Sequence, residues 1–286
     1  MALTCAFTWS VSVILFKQSE GASTLSINVF KNVVALVLLG TTLLVTGTAG
    51  VERSGADWAR LLVSGVIGIA LADVVFFAAL RRLGPGLLAV VECAYAPQVV
   101  LLAVVMNGEA LSWGFGVGAA LVLCGVAIVT IQPGAVGVAQ SGLLPGILLA
   151  LLAISLMAFG IVLAKPALAS GHLVEVSFIR VAAGNAALAL WVAPMRARGE
   201  ILSILRPSAV WRTLLPASIL GSYVSMILWI GGNKYTSASV AGVLNQLTTV
   251  FTLILARIFL GERLTPRRVV GGGAALAGAL VILLAA

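Results

Sequence analysis

The chain is divided into ten apolar runs, each close in length to a helix that crosses a lipid bilayer. The hydrocarbon core of a bilayer is about 30 Å thick and takes roughly 20 residues in helical conformation. Because no water is present there to bond with backbone groups, such runs must be helical. The predicted spans are residues 2–16, 26–46, 59–80, 84–106, 112–131, 142–164, 173–194, 211–231, 236–257 and 266–285. We therefore predict an all-α integral membrane protein with ten transmembrane helices.

The composition excludes a water-soluble protein. Apolar residues make up 61% of the chain and charged residues only 9%, whereas about a quarter of a soluble domain is charged. The formal net charge of +8 does not indicate a nucleic-acid partner, because the Lys and Arg residues lie at the ends of apolar runs, as in membrane proteins. The three cysteines, Cys5, Cys93 and Cys124, lack metal-ligand spacing, and we predict neither a metal nor a cofactor.

Two parts of the sequence repeat each other. Residues 58–133 align without a gap to residues 211–286 at a constant offset of 153 residues, with tryptophan, Gly-Glu-x-Leu and glycine positions in common. We predict two five-helix repeats, residues 1–133 and 141–286. Because five is an odd number, the two repeats must cross the membrane in opposite directions. This is the inverted-repeat plan of secondary transporters, which places the substrate site near the midplane between the halves.

The Gly-Glu-x-Leu motifs carry a resemblance to a known family. Gly108-Glu109-Ala110-Leu111 and Gly261-Glu262-Arg263-Leu264 each precede a helix with spaced glycines, and Trp9 and Lys17 lie in the first helix. With the duplication, this pattern resembles the EamA-type ten-helix members of the drug/metabolite transporter superfamily over essentially the whole chain. The resemblance implies an exporter or exchanger of small metabolites, commonly amino acids or their analogues. It also implies a central cavity lined by the first four helices of each half, with the fifth and tenth helices outside as supports.

The predicted fifth and tenth helices agree with a supporting role. They carry no ionisable residue inside the core, and they contain Gly114-x-x-x-Gly118 and Ala274-x-x-x-Gly278. Such small residues let two membrane helices approach closely. Glu109 and Glu262 lie at the membrane boundary, where we expect them to cap helices or occupy loops.

Ionisable residues at membrane depth are the strongest candidates for function, because a charge there costs several kcal/mol unless it faces a partner or water. The predicted set is Lys31, Asp73, Glu92 and Arg180. Asp73 and Glu92 lie about ten residues on either side of a turn near residues 82–83, so an antiparallel hairpin places them at one depth. Two neighbouring carboxylates can share a proton, and we predict both as proton-coupling candidates.

The sequence leaves several roles open for these charges. Lys31 aligns with Arg180 in the repeat, and it is able to pair with either carboxylate or to bind a substrate carboxylate. Both cations are alternatively able to extend towards the interface. The repeat counterparts of the two acids are Met226 and Asn245, so the acidic pair belongs to one half, where a static packing contact is the alternative to proton coupling.

Polar and aromatic side chains at similar predicted depth complete a candidate substrate cavity. The first half contributes Trp9, Ser12, Asn28, Lys31, Tyr95 and Gln98, and the second half contributes Arg180, Asn185, Tyr223, Trp229, Asn245 and Gln246. Pro97 is expected to kink the fourth helix beside this cavity. We predict that His172 lies in a loop, where solvation at the interface accounts for it.

The orientation signals disagree. Loops after odd-numbered predicted helices, with the adjoining helix ends, hold twelve Lys and Arg, and the other side holds five. The positive-inside rule therefore places both termini outside, whereas the resemblance implies that both lie inside, and we favour the latter. The first run lacks a basic n-region and a convincing cleavage site, so we predict a first helix rather than a signal peptide, with Met1 or an upstream codon as the start.

The leading hypothesis is a carrier in the cytoplasmic membrane that exports amino acids or related metabolites by alternating access. Its predicted partners are a small-molecule substrate, membrane lipid and possible coupling protons, with the choice between monomer and homodimer open. A carrier of cationic drugs or nucleotide-like solutes is the alternative, and a non-transporting scaffold is a weaker one. An integral membrane enzyme is disfavoured, because the sequence offers one histidine and no nucleophile–base set.

Overall fold

The computed structural model describes residues 1–19, 21–48, 50, 52–107, 113–130, 140–169, 172–235 and 238–285, and this part of the chain is helical without strands. The α-helices are α1 Ala2–Gln18, α2 Thr24–Thr46, α3 Gly55–Gly65, α4 Ala72–Glu92, α5 Tyr95–Asn107, α6 Trp113–Thr130, α7 Gln140–Ala169, α8 Leu173–Val192, α9 Arg198–Ser203, α10 Trp211–Ser218, α11 Ser225–Tyr235, α12 Ala238–Leu260 and α13 Pro266–Ala285. Two π-helical segments, Val66–Leu71 and Ile219–Val224, join α3 to α4 and α10 to α11.

Five helical stretches in the described ranges are long and apolar enough to cross a membrane. They are Thr24–Thr46, Gly55–Glu92, Gly142–Ala167, Leu173–Val192 and Trp211–Gly231. Three shorter apolar helices accompany them, at Tyr95–Met106, Trp113–Val129 and Gln246–Leu260. The expected class, an all-helical integral membrane protein that crosses the bilayer several times, is confirmed.

The turn expected near residues 82–83 lies at Gly84, inside the stretch that forms α4. Gly84 has φ +74° and ψ 162°, a backbone conformation that favours glycine. A Cβ atom there would also lie 2.6 Å from Oε1 of Glu262. Pro85 follows directly and begins the next helical stretch, where its missing N–H is not needed. Pro97, by contrast, lies within α5.

Three other boundaries differ from those expected from the sequence. The predicted span 84–106 is interrupted, since α4 ends at Glu92 and α5 begins at Tyr95. Lys165-Pro166 was expected to end a span, but α7 continues to Ala169, so only the last turn follows the backbone hydrogen bond that Pro166 removes. The segment between residues 196 and 212 was expected to be a long loop, and it contains the short helix α9.

Close backbone contacts bring α6 and α13 together. A Cβ atom at Gly118 would lie 2.5 Å from the carbonyl oxygen of Gly278, and one at Gly271 would lie 2.6 Å from that of Gly125. The predicted small-residue positions therefore do bring the two helices into contact. Gly108-Glu109-Ala110-Leu111, the first of the two motifs, lies outside the described residues.

The interior is built around α1 and α4. Phe16 packs edge-on against Phe77 with ring centroids 5.0 Å apart, and Leu80, Leu83 and Leu87 extend this apolar cluster along α4. On the opposite side of α1, the hydroxyl of Ser10 donates to the carbonyl of Thr248 at 3.1 Å. These contacts form the aromatic centre of the molecule, and the charged Asp73 lies at the start of α4, before this cluster.

Candidate functional site

A buried ion pair joins α2 to the start of α4. Nζ of Lys31 lies 2.5 Å from Oδ2 of Asp73, and each residue is only 6% exposed. Nζ also donates to Oδ1 of Asn32 at 3.3 Å. Both charges are therefore closed off from bulk solvent in this conformation, and each compensates the other.

The π-helical turn before α4 brings its backbone to the polar face of α2. Nδ2 of Asn28 donates to the carbonyl of Ala70 within that turn at 2.9 Å, and Nδ2 of Asn32 donates to Oδ1 of Asn28 at 2.7 Å. Such turns interrupt the regular helix ladder and often occur at functional sites. The sequence analysis did not include Asn32 among the candidate residues. Its position four residues after Asn28 places both amides on one face of α2, and this spacing could have indicated it.

Arg180 of α8 lies beside this pair. It is 5% exposed, and it interacts electrostatically with Asp73 and Tyr95. Close packing of α8 on α3 positions it, because a Cβ atom at Gly65 would overlap the Arg180 carbonyl group, and one at Gly68 would stand 3.7 Å from Nη2.

The Arg180 side chain has no ion-pair or hydrogen-bond partner within the described ranges, and its buried Nε is unsatisfied. A buried guanidinium without a partner is costly in a low-dielectric interior. A second link joins the same helices, since Nδ2 of Asn185 donates to the carbonyl of Asn32 at 3.0 Å. The structure thus gathers Lys31, Asp73 and Arg180 into one group between α2, α4 and α8.

Glu92 stands apart from this group. It is the last residue of α4 and is partly exposed. In the described part of the chain no charged side chain pairs with it, and the Asp73 carboxylate is paired with Lys31 instead. Of the contacts that the sequence left open for Lys31, the structure shows the one with Asp73, and the role of the two carboxylates in proton coupling stays a prediction.

Several other predicted cavity residues contact neighbouring helices. The Ser12 hydroxyl donates to the carbonyl of Ala217 at 2.8 Å, the Tyr223 hydroxyl lies 2.6 Å from Oγ1 of Thr42, and Trp9 packs against Phe76 with centroids 5.9 Å apart.

The remaining predicted residues are only partly enclosed or cannot be placed. Gln98, Trp229 and Gln246 are partly buried, and the buried Oε1 of Gln98 has no hydrogen-bond partner among the described residues. Asn245 lies in α12, but its side chain is outside the described part of the chain.

Two further ion pairs lie nearer the ends of the helices. Arg53 pairs with Glu175 of α8, whose Oε1 also accepts from the backbone N–H of Gly50 at 3.1 Å. Sequence reasoning missed this pair, because neither segment indicates which residues 122 positions apart meet in the fold. Elsewhere, Nη1 of Arg268 lies 2.8 Å from Oε2 of Glu262, and Glu262 lies between α12 and α13, as expected for a loop residue.

A cavity of about 230 Å³ lies between α2, α8 and α9. It is lined mainly by apolar side chains, including Val29, Val33 and Leu188. Asn185 lines this cavity and also bonds to Asn32 of α2, so the cavity adjoins the polar face of α2 without containing the ion pair.

A polytopic helical membrane fold with a cluster of buried, oppositely charged side chains is typical of proteins that move solutes or ions across a membrane. The profile of the EamA-like transporter family matches residues 1–131 and 144–284, and the chain belongs to this family. It is therefore a multi-pass membrane transporter of small molecules and not an enzyme.

Among the proteins similar to the chain are a relative of described function and a protein of known structure. A protein of Streptantibioticus cattleyicolor described as a "probable terminal-alkyne amino-acid exporter" is 30% identical over 112 residues, which are 38% of this chain and 35% of that protein. The match thus spans about a third of the relative's length. A crystal structure of a protein 19% identical in sequence superposes with a TM-score of 0.71 over 99% of this chain and 96% of the other, which shows a shared fold.

Proposed function

We propose that this protein is a secondary transporter of the cytoplasmic membrane that exports or exchanges amino acids or related small metabolites by alternating access. The observation that carries the proposal is the group formed by Lys31, Asp73 and Arg180, which lies where α8 meets α2 and α4. Charges buried at membrane depth mark substrate or ion pathways. The amino-acid exporter that shares part of its sequence with this chain supports the substrate class.

We further propose ten transmembrane helices in two inverted five-helix repeats, residues 1–133 and 141–286. The π-helical segments support this division, because Val66–Leu71 and Ile219–Val224 are separated by the same 153 residues as the sequence repeat. The starts of α6 and α13, at Trp113 and Pro266, differ by the same offset.

The contact between α6 and α13 supports the same symmetry. Gly118 lies against Gly278, and Gly271 lies against Gly125. The repeat offset relates Gly118 to Gly271 and Gly125 to Gly278, so exchanging the two halves turns one contact into the other. A two-fold axis in the membrane plane, as in inverted-repeat transporters, accounts for this reciprocity.

A second pair of contacts follows the same rule. Gly68 lies against Gly160, and Gly221 lies against Ser12. The first helices of the two halves align at an offset of 148 residues, which relates Ser12 to Gly160, and Gly68 is related to Gly221 by the larger offset. The halves therefore pack on each other through equivalent surfaces.

Counterflow of radiolabelled amino acids in proteoliposomes, at two internal pH values, tests the transport function. We expect flux of at least one amino acid by the parent protein. We also expect Glu92→Gln to remove the dependence of flux on pH, because Glu92 is a carboxylate at predicted membrane depth that no charged side chain of the described ranges neutralises.

Glu200→Gln is the matched control, since Glu200 is exposed on α9 and should leave flux and its pH dependence unchanged. Flux that keeps its pH dependence in the Glu92 variant contradicts proton coupling through Glu92. Absence of amino-acid flux, with uptake of a quaternary amine or a nucleotide instead, contradicts the proposed substrate class.

A further inference from the structure

We propose that Arg180 binds a carboxylate of the transported solute and that the protein therefore selects solutes with an anionic group. The inference rests on the proposed transport function and specifies the substrate chemistry of its site. In this proposal, the ion pair between Lys31 and Asp73 stabilises the site and does not bind the substrate.

The first argument is the state of the Arg180 side chain. The residue is 95% buried, being 5% exposed, yet no carboxylate in the described ranges lies within ion-pair distance of it. Its Nε has no hydrogen-bond partner there. Buried cations in proteins are normally paired, and a guanidinium in particular matches a carboxylate through two parallel hydrogen bonds.

The second argument is that the acid expected beside Arg180 is missing. Lys31 and Arg180 occupy equivalent positions of the sequence repeat, and Lys31 has Asp73 as its partner. The equivalent of Asp73 is Met226, which packs against an apolar cluster that includes Val181, the neighbour of Arg180. The group formed by Lys31, Asp73 and Arg180 thus contains two cations and one anion, and a substrate carboxylate balances its charge.

The surroundings of Arg180 are closely packed and hold little opposing charge. A Cβ added at Gly68 would be in van der Waals contact with the guanidinium, 3.7 Å from Nη2. Tyr95 interacts electrostatically with the same guanidinium. The negative charge of Asp73 opposes an incoming carboxylate only weakly, because Nζ of Lys31 lies 2.5 Å away and compensates it.

The test compares solutes that differ only in the carboxylate. Full-length protein in proteoliposomes is assayed with L-phenylalanine and L-leucine, with 2-phenylethylamine and 3-methylbutylamine, which lack the carboxylate, and with 3-phenylpropionate and 4-methylpentanoate, which lack the amine. We expect the amines to compete at least tenfold less well than the corresponding amino acids, because charge-assisted hydrogen bonds to Arg180 are lost. Arg180→Gln should abolish this discrimination, and Arg180→Lys should retain part of it.

A second variant tests the missing acid directly. Met226→Glu supplies an internal carboxylate to Arg180 and should weaken competition by carboxylate solutes at least tenfold, whereas Met226→Gln, of the same shape, should not. If Met226→Glu fails to fold, the comparison of Arg180→Gln with Arg180→Lys decides whether Arg180 binds the substrate carboxylate.

The outcomes separate this inference from the proposed function. Amines that compete as well as amino acids in the parent protein, or discrimination that survives in Arg180→Gln, overturn the role of Arg180 while amino-acid transport stands. Transport of the acids but not of the amino acids overturns the proposed substrate and keeps the role of Arg180. Transport of neither kind of carboxylate overturns both.

Discussion

Asp73→Asn is expected to lower the free energy of unfolding by about 3–5 kcal/mol, the usual cost of removing one partner of a buried ion pair. Nζ of Lys31 then remains more than nine-tenths buried without its carboxylate, and a neighbouring amide cannot compensate the charge. The measurement is denaturant-induced unfolding of the purified protein in one detergent, followed by circular dichroism.

The matched control is Asp57→Asn. Asp57 also pairs with a cation, Arg60, at 2.9 Å, but this pair lies on the surface at the beginning of α3. Exposed pairs contribute little, so the control should unfold like the parent protein. The double variant Lys31→Met with Asp73→Leu should recover most of the lost stability, because no charge remains unpaired. An Asp73→Asn protein as stable as the parent would rule out a structural role for the pair.

The second large effect is expected at the contact between α6 and α13. Gly125→Ala and Gly278→Ala should each lower the free energy of unfolding by about 1–3 kcal/mol, the usual cost of overpacking a close contact. A Cβ at Gly125 would lie 2.5 Å from the backbone nitrogen of Ala275, and one at Gly278 would lie 2.5 Å from the carbonyl of Gly118. Backbone atoms cannot rotate away as a flexible side chain does, so the helices must separate.

Each helix offers its own control for this prediction. A Cβ at Gly116 of α6 or at Gly273 of α13 meets nothing within 4 Å, so alanine there should be neutral or should stabilise the helix slightly, as alanine does relative to glycine. Thermal unfolding of all four variants in the same detergent makes the comparison. Equal melting temperatures for Gly125→Ala and Gly116→Ala would contradict the close contact.

The membrane class could be predicted from the sequence because lipid leaves the backbone few choices. Long apolar runs such as 26–46 and 173–194 must bond internally, and the structure has α2 and α8 there. Helix boundaries were less predictable where a residue type occurs both inside a helix and at its end. Pro166 can end a helix or lie in its last turn, and in α7 it does the latter. The π-helical turns give no composition signal, since Val66–Leu71 is as apolar as its neighbours.

The charged members of the candidate site were predictable, whereas Asn32 and the contact that Lys31 makes with Asp73 were not. Lys31, Asp73 and Arg180 stand out because charges are rare at membrane depth. The membrane depth of a residue follows from the number of residues between it and the nearest turn, and this count predicts Asp73 and Glu92 at the same depth. Which side chains meet at that depth depends on how the helices are rotated about their axes, and that rotation pairs Asp73 with Lys31.

The ion pair between Arg53 and Glu175 has a consequence for the speed of the transport cycle. It joins the segment before α3 to the first turn of α8, which belong to different halves, whereas the pair between Glu262 and Arg268 stays within one half. In an alternating-access cycle, rocking the halves apart at the first of these ends separates two charges, while the same movement need not break the other pair. On the proposed alternating-access mechanism, we therefore expect added salt, which screens charges once water reaches them, to accelerate the movement that separates Arg53 from Glu175.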